Sequence, residues 1–411
     1  MTVVGADANV VDGQQPSAVA TPETAAELAA TISQYEHQDA TIVPIGGGTS
    51  LGLGNVPKRV DLAITTGALA RVLAYAPSDL TLSVEAGATV AAVQRLLAEH
   101  GQELRIDVPF PERATIGGVI ATGYAGPRRL RDGTVRDLLL GASFARMDGT
   151  LAKSGGLVVK NVSGFDLGRL MHGALGTLGV LTSVNLKVLP AAKTDRTKVV
   201  DGDGNVAALT AVADAACRLP VRPTSVEVML SHGAPRLAVR MCGREEGVLS
   251  QERELKTLLG ERGLAVTDEL DGDGSRDWWQ ETLDHWAEER PDAAQFLISV
   301  RPRNVTAMLS QLATVVDDHS SGAECTCSFG LGLARLTMQV PSDNPELWIS
   351  ENQREWLNHA DNLVIQYAPS HAKRGIDVWG REASGLAVMR ELKCQLDPSG
   401  ALNRGRFMGF I

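Results

Sequence analysis

The tightest constraint in this sequence is the stretch Pro44-Ile45-Gly46-Gly47-Gly48-Thr49-Ser50-Leu51-Gly52-Leu53-Gly54. It follows a short apolar run, Thr41–Val43, that reads as a buried strand. Consecutive glycines carry no Cβ, so several backbone N–H groups can converge on one anion. Thr49 and Ser50 add hydroxyl donors. The spacing excludes two common phosphate sites. No Gly-Lys-Ser/Thr follows, and the sixth place of G-x-G-x-x-G falls on Leu51 counted from Gly46 and on Pro57 counted from Gly52. Alone, such a loop is equally a plain structural turn.

Two more stretches of the same character follow. One is Ala114-Thr115-Ile116-Gly117-Gly118-Val119-Ile120-Ala121-Thr122-Gly123. The other runs from Lys160-Asn161-Val162-Ser163-Gly164 to Gly173-Ala174-Leu175-Gly176-Thr177-Leu178-Gly179-Val180. Small residues around glycines suit a backbone lying against an extended ligand, and three coincidental turns are a poor explanation of all three.

At 411 residues the chain should form two or three domains. A net charge of −10 and only 4% aromatic residues argue against nucleic acid as the partner. The five cysteines are too sparse for a disulfide framework or a cluster site, and Cys325 and Cys327 read as a buried reduced pair on one strand face. The N-terminus lacks a signal-peptide pattern, and no window nears the ~20 apolar residues that a span needs. The chain reads as cytoplasmic, with membrane association through a partner left open.

Short strands alternate with helices and glycine loops as far as Val180–Leu189, where Pro190 ends the run. A polar, turn-rich stretch over 191–206 suggests a boundary. Helix–strand alternation then suits helices on an antiparallel sheet, and Trp279, Leu283 and Trp286 mark one helix face as core. No internal repeat is visible. The expected organisation is 1–191, 192–365, and a C-terminal segment 366–411 returning to the first domain.

The order PIGGGTSLG, ATIGG, GTLGVLTSVNLKVLP resembles the FAD-binding domain of the vanillyl-alcohol oxidase and p-cresol methylhydroxylase family. The terminal LDPSGALNRGRF resembles the C-terminal signature of its hydroxy-acid branch. Gly126–Arg129, Val135–Gly141 and Lys160–Leu170 are similar to the FAD-binding E subunits of bacterial glycolate oxidases. The resemblance implies an α+β fold: an FAD-binding domain of two α/β subdomains with a second, ferredoxin-like α+β cap. It implies FAD, with the pyrophosphate on Ile45, Gly46, Gly47, Gly48, Thr49 and Ser50, beside Gly52. Thr115, Gly117, Gly118, Thr122 and Gly123 would line the dinucleotide, and Gly176, Gly179 and Val180 the adenosine and ribityl part, with Asn403 close by. Members that bond FAD covalently use a His or Cys near these loops. Residues 44–54 and 109–126 hold neither, which points to non-covalent binding.

The substrate side is less marked. His371, in Pro369-Ser370-His371-Ala372-Lys373-Arg374, could take a hydroxyl proton, with Lys373 or Arg374 on a carboxylate, or the His could be structural. Arg113, Arg128, Arg129, Arg131 and Arg136 stand against Glu112, Asp132 and Asp137, as a carboxylate-docking patch or as self-paired loop charges. The H-x-G-D-G-N-x-H metal element of related D-2-hydroxy-acid dehydrogenases is reduced to Gly202-Asp203-Gly204-Asn205 with no His nearby, so no metal site is expected. Asn403-Arg404-Gly405-Arg406 departs from the family's Asn-Pro-Gly-Lys/Arg, and losing the proline should loosen that turn. The resemblance implies a subunit that oxidises a 2-hydroxy acid, or relays its electrons, to an acceptor other than NAD. A second flavoprotein subunit and an iron–sulfur subunit would be its partners. Two alternatives stay open: a non-catalytic FAD-binding electron-transfer subunit, and a free-standing FAD oxidase of a sugar or alcohol.

Overall fold

The computed structural model describes residues 9–157, 164–231, 235–318 and 323–411. Lys160–Ser163 of the third glycine-containing stretch lie outside the described residues. The chain divides into two compact units, one of 1–125, 134–191 and 374–411, the other of 126–133 and 192–373.

The first unit holds two sheets of opposite character. A three-stranded parallel sheet orders Ala18–Ala20, Leu62–Thr65 and Ile42–Ile45, with Ala25–Ser33 as the helix between the outer strands in sequence. Thr24 caps that helix by accepting from Glu27 N–H at 3.1 Å, and Leu28, Ala29 and Ile32 face inward. A five-stranded antiparallel sheet runs Val72–Ala76, Thr81–Glu85, Val180–Lys187, Leu139–Ala145, Leu151–Gly155. Its core is aliphatic: Leu82, Val84, Val184 and Leu186 from the strands meet Val93 and Leu97 of the helix Val90–Ala98. Residues 401 and 402 return to the parallel sheet, where Ile42 N–H donates to Ala401 O at 2.9 Å and Asn403 N–H to Ile42 O at 2.8 Å.

The second unit is one eight-stranded antiparallel sheet. Its topology contains a repeat that the sequence hides. The strands Thr194–Asp201, Ser225–Leu230, Arg236–Gly243 and Asp268–Asp271, with helices Val206–Cys217 and Glu245–Gly260, form a βαββαβ motif in spatial order fourth-first-third-second. Ala293–Ser299, Glu324–Ser328, Leu333–Gln339 and Asn362–Tyr367, with helices Val305–Asp318 and Pro345–His359, form a second motif in the mirrored order. The two meet where Ser225–Leu230 pairs with Glu324–Ser328. Each is ferredoxin-like, so the expected cap fold is present twice. The doubling lies in strand order and layer, which a search of the sequence for an internal repeat does not reach.

An extra helix, Gly272–Ala287, joins the motifs and is tied to the sheet by a buried polar network. Trp279 Nε1 donates to Thr197 Oγ1 and Ser275 Oγ to Asp195 Oδ1, both at 2.8 Å. Arg240 donates to both Asp195 oxygens, at 3.1 and 2.6 Å, and lies over the Trp279 ring. Trp279 and Leu283 are buried as expected, whereas Trp286 is half-buried and lines a cavity on this sheet face with Trp278, Arg236 and Arg335.

Candidate functional site

The first glycine loop leaves the end of Ile42–Ile45 and forms one wall of a cleft within the first unit. Counting its open mouth and the solvent in it, the cleft encloses about 1010 Å³ of space not filled by atoms. Ile45, Gly46, Gly47, Gly48, Thr49 and Ser50 line it, as do Thr115, Gly117, Gly118 and Thr122, then Gly176, Gly179 and Val180, and finally Asn403. Gly52 and Gly123 are not on the wall. Gly123, at φ +67°, closes the helix Ile116–Thr122 as its left-handed cap. Ala174, Leu175 and Arg406, which lie in stretches singled out in the sequence but were not assigned to the cofactor, are wall residues as well.

The glycines do different work. A Cβ on Gly47 would sit 1.7 Å from Arg113 O, one on Gly46 2.3 Å from Thr115 Oγ1, and one on Gly117 2.7 Å from Ala86 Cβ. These three let chain segments pack against each other. Gly48 differs: its φ is +68°, and a Cβ there would meet only Leu51 Cδ1, at an ordinary contact distance of 3.8 Å. Sequence reasoning treated all of them as room for a ligand, since close approach to a ligand and close approach to the chain require the same residue.

Donor groups divide in the same way. On the helix Ile116–Thr122, Ile116 N–H donates to Ala88 O, Gly117 N–H to Ala86 O and Gly118 N–H to Thr115 Oγ1, at 2.8–3.2 Å. That end of the helix is occupied by the protein. Among the described residues, by contrast, the N–H groups of Gly46–Ser50 donate to no protein acceptor. Buried or half-buried N–H groups are nearly always paired, so a run of them on a cleft wall suits an anionic ligand.

The C-terminal segment braces this wall. Arg406, 3% exposed, donates to Leu51 O at 2.6 Å, to Leu53 O at 2.7 Å and to Asn403 Oδ1 at 3.2 Å. Asn403, at φ +45°, donates from Nδ2 to Leu175 O, which fixes the second loop. Beneath them Lys393 Nζ donates to Thr177 O at 2.8 Å, to Leu402 O at 2.7 Å and to Asp397 at 2.6 Å. Asp397 also accepts from the N–H groups of Ala401 and Leu402. Burial pulls the Lys393 ammonium below the ordinary lysine range, against the pull of Asp397. The expected loosening at residue 404 is corrected. Arg404 donates to Gly400 O and Ser399 O, both at 2.9 Å, and to Asp39, so side-chain bonds hold the turn where relatives use a proline ring.

None of His371, Lys373 and Arg374 lines this cleft. His371 and Arg374 are exposed on the turn after Asn362–Tyr367, and Lys373 is fully buried. Two of the cluster's five arginines are paired within it, Arg128 and Arg131 both reaching Asp132 at 3.2 Å; Arg131 also donates to Cys242 O, and Glu112 is taken by Arg95 from outside the cluster. Gly202–Asn205 is a turn in which Asn205 Oδ1 caps the next helix by accepting from Ala208 N–H at 2.9 Å. Among the described residues no three His, Cys, Asp or Glu side chains gather as a metal set. Cys325 and Cys327 are buried and free, and burial raises both thiols well above the ordinary range. No helix among the described residues is long and apolar enough to cross a membrane.

A family model described as an FAD-binding domain matches residues 16–155. Residues 16–155 are therefore an FAD-binding domain of the vanillyl-alcohol oxidase type. Glycolate oxidase subunit GlcE of Escherichia coli (strain K12) is 42% identical over 29% of this flavoprotein and 34% of its own length. D-2-hydroxyglutarate dehydrogenase of Stutzerimonas stutzeri (strain A1501) is 22% identical over 95% of the flavoprotein and 90% of its own length. In the first relatives matched, the flavoprotein spans 34%, 37% and 42% of their lengths. Its fold superposes on an alkyldihydroxyacetonephosphate synthase with a TM-score of 0.72 at 15% identity, covering 95% of this chain and 76% of that one. The cleft fits the cofactor: unpaired N–H groups for a diphosphate, small residues along an extended ligand, and a buried arginine behind the loop. The wall from residues 174–180 and 403–406 lies beyond the matched stretch.

Proposed function

We propose that this flavoprotein is a subunit of a glycolate oxidase-like complex, taking electrons from a 2-hydroxy acid and passing them to an acceptor other than NAD. The observation that carries the reading is the cleft wall of unpaired N–H groups at Gly46–Ser50, in a domain whose relatives include glycolate oxidase subunits and 2-hydroxy-acid dehydrogenases. FAD, when bound, supplies the hydride-accepting ring. The N–H groups of 46–50 would hold its diphosphate, while the small residues at 115–122 and 176–180 pass along its length. Among the described residues the cleft wall carries no His or Cys, which supports non-covalent attachment. His371 is the candidate base and Arg374 the candidate carboxylate ligand, both exposed on one turn. Lys373, fully buried, is better suited to holding that turn than to meeting a substrate.

A second reading is an FAD-binding electron-transfer subunit that turns over no substrate itself. The helix-capping role of Asn205 favours it, because the element that serves metal and base in related dehydrogenases is here only a turn. Anaerobic mixing of the purified chain with glycolate and with D-lactate separates the two. Bleaching of the flavin band near ~450 nm in the isolated chain supports the enzyme, and bleaching only with added partner subunits supports the relay. A purified chain that neither carries nor takes up FAD would sink both.

A further inference from the structure

We propose that Arg406 is a positioning residue for the phosphate loop, so that FAD affinity is set from the far end of the chain. The inference rests on the reading that residues 46–50 hold the cofactor's diphosphate. Arg406 is buried and spends its guanidinium on two carbonyls of one loop, Leu51 O and Leu53 O, at 2.6 and 2.7 Å. The same residue's carbonyl accepts from Asn55 N–H at 2.8 Å and from Trp379 Nε1 at 3.0 Å. Gly54, at φ +102°, allows this approach, since a Cβ there would lie 2.7 Å from Arg406 O. Asn55 completes the clasp, donating to Phe407 O at 3.0 Å and accepting from Val378 N–H at 2.9 Å.

The clasp acts on residues 51–55, immediately after the run of unpaired N–H groups. Leu53 N–H returns to Ser50 O at 3.3 Å, closing the turn that leads into that run. With the carbonyls of 51 and 53 drawn to the guanidinium, the loop cannot roll, and the donors of 46–50 stay presented to the cleft. One guanidinium nitrogen serves both carbonyls and a second serves Asn403 Oδ1, a spread of donors that a lysine's single nitrogen would have to cover from one point. The guanidinium also brings a positive charge behind a loop that receives two phosphate charges.

The test measures FAD and ADP binding to apoprotein by calorimetry, alongside the melting temperature of each apoprotein. ADP shares the diphosphate and lacks the flavin. R406Q is expected to weaken both ligands by a similar factor of ten or more. R406K, which keeps the charge and loses the fork, is expected in between for both, and it serves if R406Q does not fold. FAD weakened with ADP unchanged would overturn the inference, as would either folded variant binding both ligands like wild type. Losses that merely track a lower apoprotein melting temperature, with R406K restored to wild type, would also overturn it. Wild-type protein that binds neither ligand would instead defeat the reading of the loop on which the inference rests.

Discussion

Gly47 has no space for even one methyl group, because the Arg113 carbonyl oxygen occupies the place where a Cβ would be, 1.7 Å away. Gly47→Ala must separate the two loops, and FAD should bind at least ~10-fold more weakly, about 1.4 kcal/mol; the ratio of flavin to protein absorbance after purification measures it. Lys393 is a second residue whose surroundings fix its role. Lys393→Met leaves the Asp397 carboxylate buried without its cation, and removing one partner of such a pair costs about 3–5 kcal/mol. Chemical denaturation of the apoprotein checks this, and Lys393→Met combined with Asp397→Leu should recover part of the loss. Arg404 gives the reverse lesson. The sequence predicts a loosened turn there, and three side-chain bonds, to Gly400 O, Ser399 O and Asp39, hold it.

The helix Gly272–Ala287 buries Trp279 and Leu283 and is also tied to the sheet through one carboxylate, Asp195. Burial raises the Asp195 pKa, yet the Arg240 bonds and charge, with Ser275, outweigh it and hold the carboxyl below the ordinary value of 3.8. A lowered folded value means stability that is fully present above 3.8 and is lost as pH falls through the lower folded value. Wild-type protein should therefore show an acid-unfolding limb below pH 3.8 that is flattened in Asp195→Asn. At neutral pH the same variant should already be less stable by roughly 3 kcal/mol, because Arg240 is left buried beside a neutral amide. Tryptophan fluorescence against pH reports it through Trp279, whose indole N–H belongs to the same network.

For the whole molecule, the first unit is assembled from three separate stretches, 1–125, 134–191 and 374–411. A chain cut after residue 191 keeps all three glycine-rich stretches but loses Asn403, Arg406 and the Lys393–Asp397 pair. Such a fragment is expected to purify without flavin even if it folds, whereas the full chain carries it. Hydrogen exchange offers a check on the intact protein. The amides of Gly46–Ser50, unpaired in the protein, should exchange fast in the apoprotein and become protected with FAD. Those of Ile116 and Gly117, already bonded to Ala88 and Ala86, should change little. At a hundred times its dissociation constant, FAD should add about 2.7 kcal/mol to the stability of the unit that binds it.

The sequence alone carried the cofactor and the two fold types, through its resemblance to a known FAD-binding family and through the local alternation of strands and helices. Three glycine-rich stretches in order need no distant partner to be recognised, and strand and helix periods are set by near neighbours. The residues it assigned to the cofactor, from Ile45–Ser50 to Asn403, make up about half of the cleft lining. What it left undecided depends on residues far apart in the chain. The doubled ferredoxin-like motif shows only in strand order, and Arg406 gains its meaning from carbonyls at 51 and 53. The opening glycine loop shows the division most clearly. Its composition announced that something must pass close to the backbone, but only the tertiary structure decided what. Gly46 and Gly47 are filled by the neighbouring chain, and the unpaired N–H groups of 46–50 are left for the ligand.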